Sequence, residues 1–541
     1  MVTNSKRTST TSGAPATKQT RHETEHEAES AERVSKLELR RRHLREKEHG
    51  DLIIDLNSKF VELTKKETTS DRRTELVLEL HSSLESKYLG VIRNKRGSRL
   101  VQSVIRFGND DIHSTIIKEI SADIQNIACS PYTRRVITRL LTHCSATLIS
   151  TLIEQLISLA STLARHVDGA RVLEDLYTSS HASSSVKNSL ILNVFGKTLT
   201  SICQLEQISL DSSVSDVLAL RPVQKQSLVT SLIETINSLS SKGLIGLSFI
   251  QVAFYEVLKE TDYKTVRNSV SGLLVEHLDY LISSKIGSKI LVLAIICGTA
   301  KDRRGYLKAI KNHVVELCSN QYGYLVILAL LASTDDTSAL SKVIISEVVD
   351  SVSDLISDKF GHLIICFIIN GFGSKQINAD LKKMVSAVDI DGESSSKKDA
   401  DVRRNELFNA IKDPLMTYIT ENLAEVLVDS NGQYVLIEFV SNFDQSSQFW
   451  QSFDEFIDVY KILSDISLRR SLRRLINRTD DACLELVVKK VLAFVDFDGL
   501  DSREVCVFCQ YLHDLLVKRN LDELLPKFKQ YLIDNSIDFS S

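Results

Sequence analysis

A run of basic side chains without any acid lies between Ser86 and Asn109. Its cations are Lys87, Arg93, Lys95, Arg96, Arg99 and Arg106. A solvated helix face would usually interleave acids four residues from such cations, because opposite charges at that spacing attract each other. These cations have no such acids, so the run is better explained as a local surface that binds a polyanion.

A second acid-free stretch, from Ile466 to Arg478, carries five arginines. They are Arg469, Arg470, Arg473, Arg474 and Arg478. The net charge of the whole chain is -4, which does not by itself point to nucleic acid. The interpretation therefore rests on the distribution of charge along the chain and not on its sum.

Motifs for metal binding and nucleotide hydrolysis are incomplete. Cys506, Cys509 and His513 have helical spacing, but a zinc site needs a fourth ligand and no second close Cys/His pair follows. The segment "FGKT" at 195–198 has the Gly-Lys-Thr of a phosphate-binding loop without the earlier glycine or a preceding strand. We predict no metal site and no cofactor.

The acids and histidines that could take part in catalysis are better explained by structural roles. Asp335 and Asp336, in "STDDTSA", are typical of a loop and a helix start. His166 and His362 begin helical patterns with no nucleophile in register. The sequence therefore predicts a protein that is not an enzyme.

The basic stretch belongs to a pattern that recurs along the chain. Gly97, Thr133 and Gly169 are each thirty-six residues apart and open similar apolar segments. The later members of the series are Gly287, Gly323, Gly361 and Gly432. A fixed period of this length is typical of a solenoid, in which each unit buries its apolar face only against its neighbours.

The repeat predicts which side chains of each helix form the core. The third, fourth, seventh and eighth residues after the glycine position are apolar, as in Leu100, Val101, Val104 and Ile105. At about 100° per residue these positions form one buried stripe. The first, second and fifth residues then share the opposite face, and stacked units would align them into one ligand-binding surface.

Composition favours an all-α protein. The 541 residues include only 5 Pro and 20 Gly, and strand signals are missing. The nine cysteines are scattered through apolar runs, which indicates reduced and buried thiols. The longest apolar run, 325–332, is too short to cross a bilayer, and residues 1–20 lack the apolar core of a signal peptide. We expect a soluble, intracellular protein with no membrane contact.

Shifts in composition divide the chain. Residues 1–30 are polar and predict a disordered tail, and 31–75 predict a helical cap on the first repeat. The first, basic repeats occupy 76–205, and the others occupy 206–541, with a polar insertion near 386–400. The apolar spine of the cap comprises Leu37, Leu44, Leu52, Leu56 and Leu63.

Several long motifs resemble one protein family. They are "GTAKDRRGYLKAIKNHVVELCSNQYGYLVILAL" (298–330), "TDDTSALSKVIISEVVDSVSDLISDKFG" (334–361) and "SSKKDADVRRNEL" (395–407). With the basic first unit and "HVDGARVLEDLY" (166–177), they resemble the Pumilio (PUF) repeat proteins, and among them the nuclear Puf-A/Penguin branch. The resemblance implies a bent, L-shaped solenoid of about eleven tri-helical repeats.

The resemblance also implies a role for each triplet. In sequence-reading PUF proteins the first and fifth residues contact a base edge and the second stacks between bases. Ser98, Arg99 and Gln102 meet those requirements fully. Later units place apolar residues at the fifth position, which would leave a base edge unsatisfied. Our candidate RNA-binding residues are Lys95, Arg96, Ser98, Arg99, Gln102, Arg134, Arg135, Arg171, Glu174 and Lys289.

By resemblance, the chain is expected to be a nucleolar RNA-binding factor in assembly of the large ribosomal subunit. It would hold pre-rRNA through backbone contacts with little sequence preference. Ribosomal or assembly proteins are its expected partners, DNA is a further candidate ligand, and no small-molecule substrate is expected. Two alternatives stay open: an mRNA-binding translational repressor, and an armadillo-like scaffold that binds only proteins. The polar insertion is expected to be an exposed loop that runs into a helix and contacts a partner.

Overall fold

A computed structural model describes residues 42, 45–390, 396–442, 454–455, 458–478, 481–494, 500, 502–535 and 537. The regular elements in these ranges are helices, which confirms the all-α prediction. The predicted tail at 1–30 and the spine residues Leu37 and Leu44 lie outside the described residues. The chain divides into two compact units, unit 1 up to Ser212 and unit 2 from Ser213. Across the described ranges, no helix is long and apolar enough to span a membrane.

Unit 1 contains thirteen helices among its described residues. They are α1 (Gly50–Asp55), α2 (Asn57–Thr64), α3 (Ser70–Leu84), α4 (Tyr88–Ile92), α5 (Lys95–Phe107), α6 (Asp110–Ser121), α7 (Ile124–Ala128), α8 (Arg134–His143), α9 (Ala146–Ser158), α10 (Ala160–Leu163), α11 (Val167–Thr178), α12 (Ser184–Val194) and α13 (Lys197–Leu205).

Unit 2 continues the same pattern of short and long helices. They are α14 (Val214–Ala219), α15 (Lys225–Ser240), α16 (Ser248–Lys259), α17 (Tyr263–Val266), α18 (Leu278–Ile282), α19 (Lys285–Cys297), α20 (Ala300–Ile310), α21 (Val314–Cys318), α22 (Gly323–Ser333), α23 (Thr337–Leu340), α24 (Ser346–Asp350), α25 (Val352–Ser357), α26 (Gly361–Asn370), α27 (Ala379–Ile390), α28 (Ala400–Glu421), α29 (Leu423–Val428), α30 (Ser430–Asn442), α31 (Val459–Ser464), α32 (Ile466–Arg478), α33 (Asp481–Leu492), α34 (Ser502–Lys518) and α35 (Leu525–Asp534). Short π or 3₁₀ turns occupy Arg267–Ser271, Leu273–His277, Ser341–Ile345 and Gly371–Gly373.

The recurring glycine register marks one helix in each repeat, which we call the middle helix. In unit 1 the middle helices are α5, α8 and α11, and each packs against the next. In unit 2 they are α16, α19, α22, α26, α30 and α32, which also pack in sequence. The predicted core stripe is confirmed, because Leu100, Val101, Val104 and Ile105 are each at most 1% exposed.

Glycine is required at these register positions because a backbone carbonyl of another helix lies close to it. An unusual backbone conformation is not the reason. A Cβ on Gly97 would lie 2.1 Å from the carbonyl oxygen of Val91, and one on Gly287 would lie 2.1 Å from that of Leu281. In each case the oxygen belongs to the short helix that precedes the middle helix. Thr133 replaces glycine in the second repeat, and its hydroxyl donates a 2.6 Å hydrogen bond to the Ile127 carbonyl. The middle helix is therefore held against the preceding short helix either by a glycine that permits close approach or by a threonine that forms a hydrogen bond.

This contact predicts the effect of adding one methyl group. We expect Gly287→Ala to lower the free energy of unfolding by about 1–3 kcal/mol, because backbone at 2.1 Å cannot move aside as a side chain could. Gly246→Ala is the control, since its Cβ would meet only the Tyr280 ring at 3.4 Å, an ordinary contact. Urea unfolding of both variants measures the difference, and equal stability would contradict the close-approach role.

The helices before the first repeat pack as a cap within unit 1. Helix α2 contacts α3 and α5, and Leu56 and Leu63 of the predicted spine are buried. Two ion pairs join α2 to α3: Arg72 Nε lies 2.9 Å from Glu62 Oε1, and Lys59 Nζ lies 2.7 Å from Glu79 Oε2. These contacts fix the orientation of α2 on the first repeat.

The polar insertion is anchored at its C-terminal end, which its composition did not indicate. Asp335 accepts hydrogen bonds from the Ser396 hydroxyl at 2.6 Å and from the Lys397 N–H at 2.8 Å. It also pairs with the buried Arg403 guanidinium at 3.2 Å. Arg403 in turn donates to the Lys398 carbonyl at 3.0 Å. We call this group the insertion clasp.

The helix that leads into the insertion, α27, covers part of the middle-helix stack in unit 2. Helix α27 packs against α19 and α22. Leu381 and Val388 of α27 are buried, as are Val292 of α19 and Leu328 of α22. The apolar fifth positions of these two repeats are therefore core residues.

The cysteines agree with the prediction of free and mostly buried thiols. All nine are unpaired, and only Cys129 and Cys506 are partly exposed. Burial raises the pKa of Cys509 to about 12, which keeps the thiol protonated at neutral pH. The described residues contain no group of three or more potential metal ligands.

Candidate nucleic-acid interface

The exposed cations of unit 1 occupy the same position in three successive repeats. Arg99 on α5, Arg135 on α8 and Arg171 on α11 each follow the glycine position by two residues, and all three are exposed. Since the three helices pack side by side, we call these residues the arginine row. The Arg171 side chain is 54% exposed and lies 3.9 Å from Asp168. Neither Arg99 nor Arg135 has an ion pair with another described residue.

The start of α5 presents two more cations beside this row. Asn94 caps the helix by accepting a 3.0 Å hydrogen bond from the Arg96 N–H, which explains why the helix begins there. Lys95 and Arg96 are both exposed. The Lys95 ammonium lies 5.6 Å from the centre of the Tyr132 ring, on the next repeat. The ring face attracts the ammonium without neutralising its charge.

Arg134, a predicted RNA ligand, is instead paired between repeats. Its Nε lies 3.0 Å from Asp168 Oδ1, and the two side chains are only 17% and 16% exposed. The guanidinium therefore links α8 to α11. Asp168 neutralises the charge of Arg134, so this predicted RNA ligand serves instead in packing between repeats.

The predicted base-edge residues also have partners within the protein. Ser98 is 1% exposed, and its hydroxyl donates a 2.8 Å hydrogen bond to the Tyr132 carbonyl. Gln102 donates to that hydroxyl at 2.9 Å. In the next repeat the Thr138 hydroxyl donates to Asp175 at 2.6 Å. Glu174 is half-buried. The Ser98 and Thr138 hydrogen bonds join neighbouring repeats, and that of Gln102 lies within α5.

The expectation that the first residue of each triplet faces a ligand is wrong for most repeats. Ser98, Ala170, Ser288, His362 and Gln433 are all buried. Gln433, for example, donates a 3.0 Å hydrogen bond to the Leu427 carbonyl of the preceding short helix. Only the second position is consistently accessible in unit 1.

In unit 2 the corresponding surface is mostly apolar or covered. The fifth-position residues Val292, Leu328, Cys366 and Ile437 are buried. Lys289, the one predicted ligand in this unit, is partly exposed, and its ammonium lies 5.7 Å from the centre of the Tyr255 ring. A row of exposed cations like that of unit 1 does not continue through the described repeats of unit 2.

The second basic stretch forms α32 and is largely used within the protein. Arg469 is 4% exposed and pairs with Glu504 at 2.9 Å. Arg473 donates a 3.0 Å hydrogen bond to the Val507 carbonyl, and burial lowers its pKa. Arg474 donates to Gln433 at 3.2 Å. The prediction that this whole stretch is a polyanion surface is therefore wrong for Arg469 and Arg473, because each supports packing against a neighbouring helix, whereas Arg474 is exposed.

The acids that pair with side chains of the preceding repeat were not identified from the sequence. Asp168 is thirty-four residues after Arg134, close to one repeat length, and Asp175 is thirty-seven residues after Thr138. A search for opposite charges one repeat apart could have identified the first pair, because equivalent positions of adjacent repeats lie side by side.

Comparisons with known proteins agree with this architecture. The family model of the CPL (NUC119) domain matches residues 357–490. Pumilio homolog 3 of Homo sapiens is 23% identical over 398 residues, which cover 73% of this chain and 60% of the relative. Pumilio homology domain family member 6 of Schizosaccharomyces pombe is 24% identical over 373 residues, or 68% of this chain and 57% of that relative. The chain thus spans less than two thirds of the length of these relatives.

Two solved structures share the fold over most of the chain. The crystal structure of human Puf-A matches with a TM-score of 0.75 and 20% identity, covering 90% of this chain and 96% of that one. Human Puf-A in complex with DNA matches with a TM-score of 0.75 and 19% identity, covering 90% and 98%.

Proposed function

Because the chain is a Pumilio-like PUF-repeat protein of the Puf-A branch, we propose that it binds single-stranded RNA through the sugar-phosphate backbone. The observation that carries this proposal is the arginine row. Three exposed guanidiniums at one register position can each meet a phosphate of a strand laid across α5, α8 and α11. The similarity also places the chain among nucleic-acid-binding proteins and not among enzymes.

Few side chains on this surface are available to recognise a particular base. The first-position residues are buried, and the unit 1 fifth-position groups Gln102 and Thr138 are hydrogen-bonded to neighbouring side chains. A base edge would have to break those contacts to be recognised, which offsets the gain. What remains is attraction between arginines and phosphates, which is the same for every sequence.

This reasoning predicts weak sequence preference. We expect unrelated single-stranded RNAs of equal length to bind within about tenfold of one another, because phosphate contacts dominate the affinity. Fluorescence anisotropy at a fixed salt concentration measures the spread. A selection experiment that enriches one short motif by about a thousandfold would contradict the prediction.

We further propose that the bound RNA is pre-rRNA and that the protein acts in the nucleolus during assembly of the large ribosomal subunit. Resemblance to the Puf-A branch supports this role, and ribosomal or assembly proteins are its expected partners. The test is to crosslink the protein to RNA in cells and sequence the fragments. Enrichment of large-subunit pre-rRNA would support the role. Enrichment of mRNA would favour the translational repressor, and no crosslinked RNA would favour the protein scaffold.

A further inference from the structure

A cavity of about 320 Å³ lies where the arginine row reaches the cap in unit 1. Its walls come from the cap helices and from the start of α5. The lining residues are Ile53, Ile54, Asn57, Phe60, Arg96, Arg99 and Leu100. A volume of this size is at the small end of the range for ligand pockets.

The lining combines three kinds of chemistry. Arg96 and Arg99 supply two guanidiniums, and the described lining contains no acid. Neither guanidinium forms a hydrogen bond or ion pair with another described residue. Phe60 offers a partly exposed ring, and Asn57 offers an exposed amide with both donors and an acceptor.

These groups match the parts of a nucleotide. An aromatic ring can stack on any base, and a side-chain amide can bond to a base edge. Arginines bind phosphate oxygens with paired N–H donors. Only the ring and the amide can distinguish a nucleotide from a free anion, and both belong to the cap.

The position of the cavity indicates which nucleotide it would hold. The arginine row runs from Arg171 through Arg135 to Arg99, one residue per repeat. Beyond Arg99, α2 packs against α5, and residues of α1 and α2 line the cavity. A strand that follows the row therefore meets Phe60 and Asn57 where the row ends.

We propose that this cavity binds one unpaired nucleotide at the end of the bound RNA strand. The base lies against Phe60, its edge bonds to Asn57, and Arg96 and Arg99 hold the adjoining phosphate. This site rests on the proposed function, since Arg99 also belongs to the arginine row. It adds recognition of a strand end to a surface that otherwise binds the backbone alone.

The first test locates the strand end by photocrosslinking. Short single-stranded RNAs would carry 4-thiouridine at the 5′ end, at the 3′ end or in the centre. We expect a probe at one end to crosslink to the cap peptide that contains Asn57 and Phe60, and the central probe to crosslink to the repeats. Crosslinks from all three probes spread over the repeats, with none in the cap, would overturn the proposal.

The second test asks whether the Phe60 ring stacks on the terminal base. Phe60→Leu keeps an apolar side chain, so the cap should stay folded, and the melting temperature checks this. We expect the variant to bind intact RNA about tenfold more weakly, because one stacking contact is lost. On RNA whose terminal nucleotide is abasic, the substitution should have no effect. An equal loss on both RNAs would show that Phe60 acts only in packing.

Asn57→Ala provides a second variant at an exposed position. We expect the wild-type protein to distinguish among the four terminal bases by up to about fivefold. Asn57→Ala should abolish this preference, while the terminal crosslink persists. Retention of the same preference would contradict a role for the amide. If wild-type protein binds RNA with strong salt dependence but shows no terminal crosslink, only this site fails. If it binds no RNA, the proposed function fails with it.

Discussion

Replacement of Arg99, Arg135 and Arg171 by alanine together should weaken RNA binding by about 100-fold near 0.1 M salt, for all sequences alike. For single strands each lost phosphate contact lowers the salt slope by about 0.7, so the slope of log affinity against log salt should flatten by about 2. The three side chains are exposed, and each substitution should change the free energy of unfolding by no more than about 0.5 kcal/mol. Titrations at several salt concentrations, with thermal melting as the check on folding, measure both quantities.

A matched control removes the same charge elsewhere in unit 1. Lys65, Lys66 and Lys118 are exposed, and none lies on a middle helix. Their triple alanine variant should keep nearly the full affinity and salt slope. If both variants lose affinity equally, only net charge matters. If the arginine variant is folded and binds normally, the protein-scaffold alternative gains support.

The second basic stretch is not an equivalent test surface. Arg469 and Arg473 support helix packing, so their loss would change stability as well as binding. Arg470 is exposed and gives the cleaner test. We expect Arg470→Ala to have little effect on RNA affinity, since it lies outside the arginine row.

The second large effect concerns the insertion clasp. We expect Asp335→Asn to lower the free energy of unfolding by about 3 kcal/mol, because it leaves the buried Arg403 without its counter-charge. Urea unfolding followed by circular dichroism measures the change. Since Ser396 and Lys397 are hydrogen-bonded in the clasp, a deletion that reaches these residues would also disturb it. The C-terminal end of the insertion is a loop that runs into α28, as expected, but hydrogen bonds to Asp335 anchor it.

Asp336 is the control for this substitution. Its side chain accepts a 3.0 Å hydrogen bond from the Ala339 N–H and caps α23, which confirms the expected helix start. Asparagine caps a helix about as well as aspartate, so Asp336→Asn should change stability by well under 1 kcal/mol. Equal losses in the two variants would contradict the specific role of Asp335.

The clasp also predicts a pH dependence. Partial burial raises the pKa of Asp335, but hydrogen bonds from the Lys397 N–H and its neighbours outweigh that effect and lower the pKa to about 2. A carboxyl group with a depressed pKa stabilises the fold above its unfolded pKa of 3.8. The stability difference between wild type and Asp335→Asn should therefore be constant above about pH 5 and shrink as the pH falls toward 2.

The repeat architecture could be predicted from sequence because it depends on local periodicity. Apolar residues at the third, fourth, seventh and eighth positions define one helix face wherever they occur, and Leu100 and Val101 are buried as that rule requires. The glycine register could also be recognised in the sequence. The structure shows its physical reason, because a Cβ on Gly97 would clash with the Val91 carbonyl. Such features are set within one repeat.

Which cations remain exposed was decided only by tertiary structure. Arg134 and Arg135 are adjacent and look equivalent in sequence, yet Asp168 from the next repeat neutralises the first and leaves the second exposed. In the same way, Arg403 and Asp335 are far apart in the chain and meet only in the clasp. Helical periodicity gives the direction of a side chain relative to its own helix. What that side chain contacts depends on the neighbouring helix, which contributes the partner charge and excludes the water.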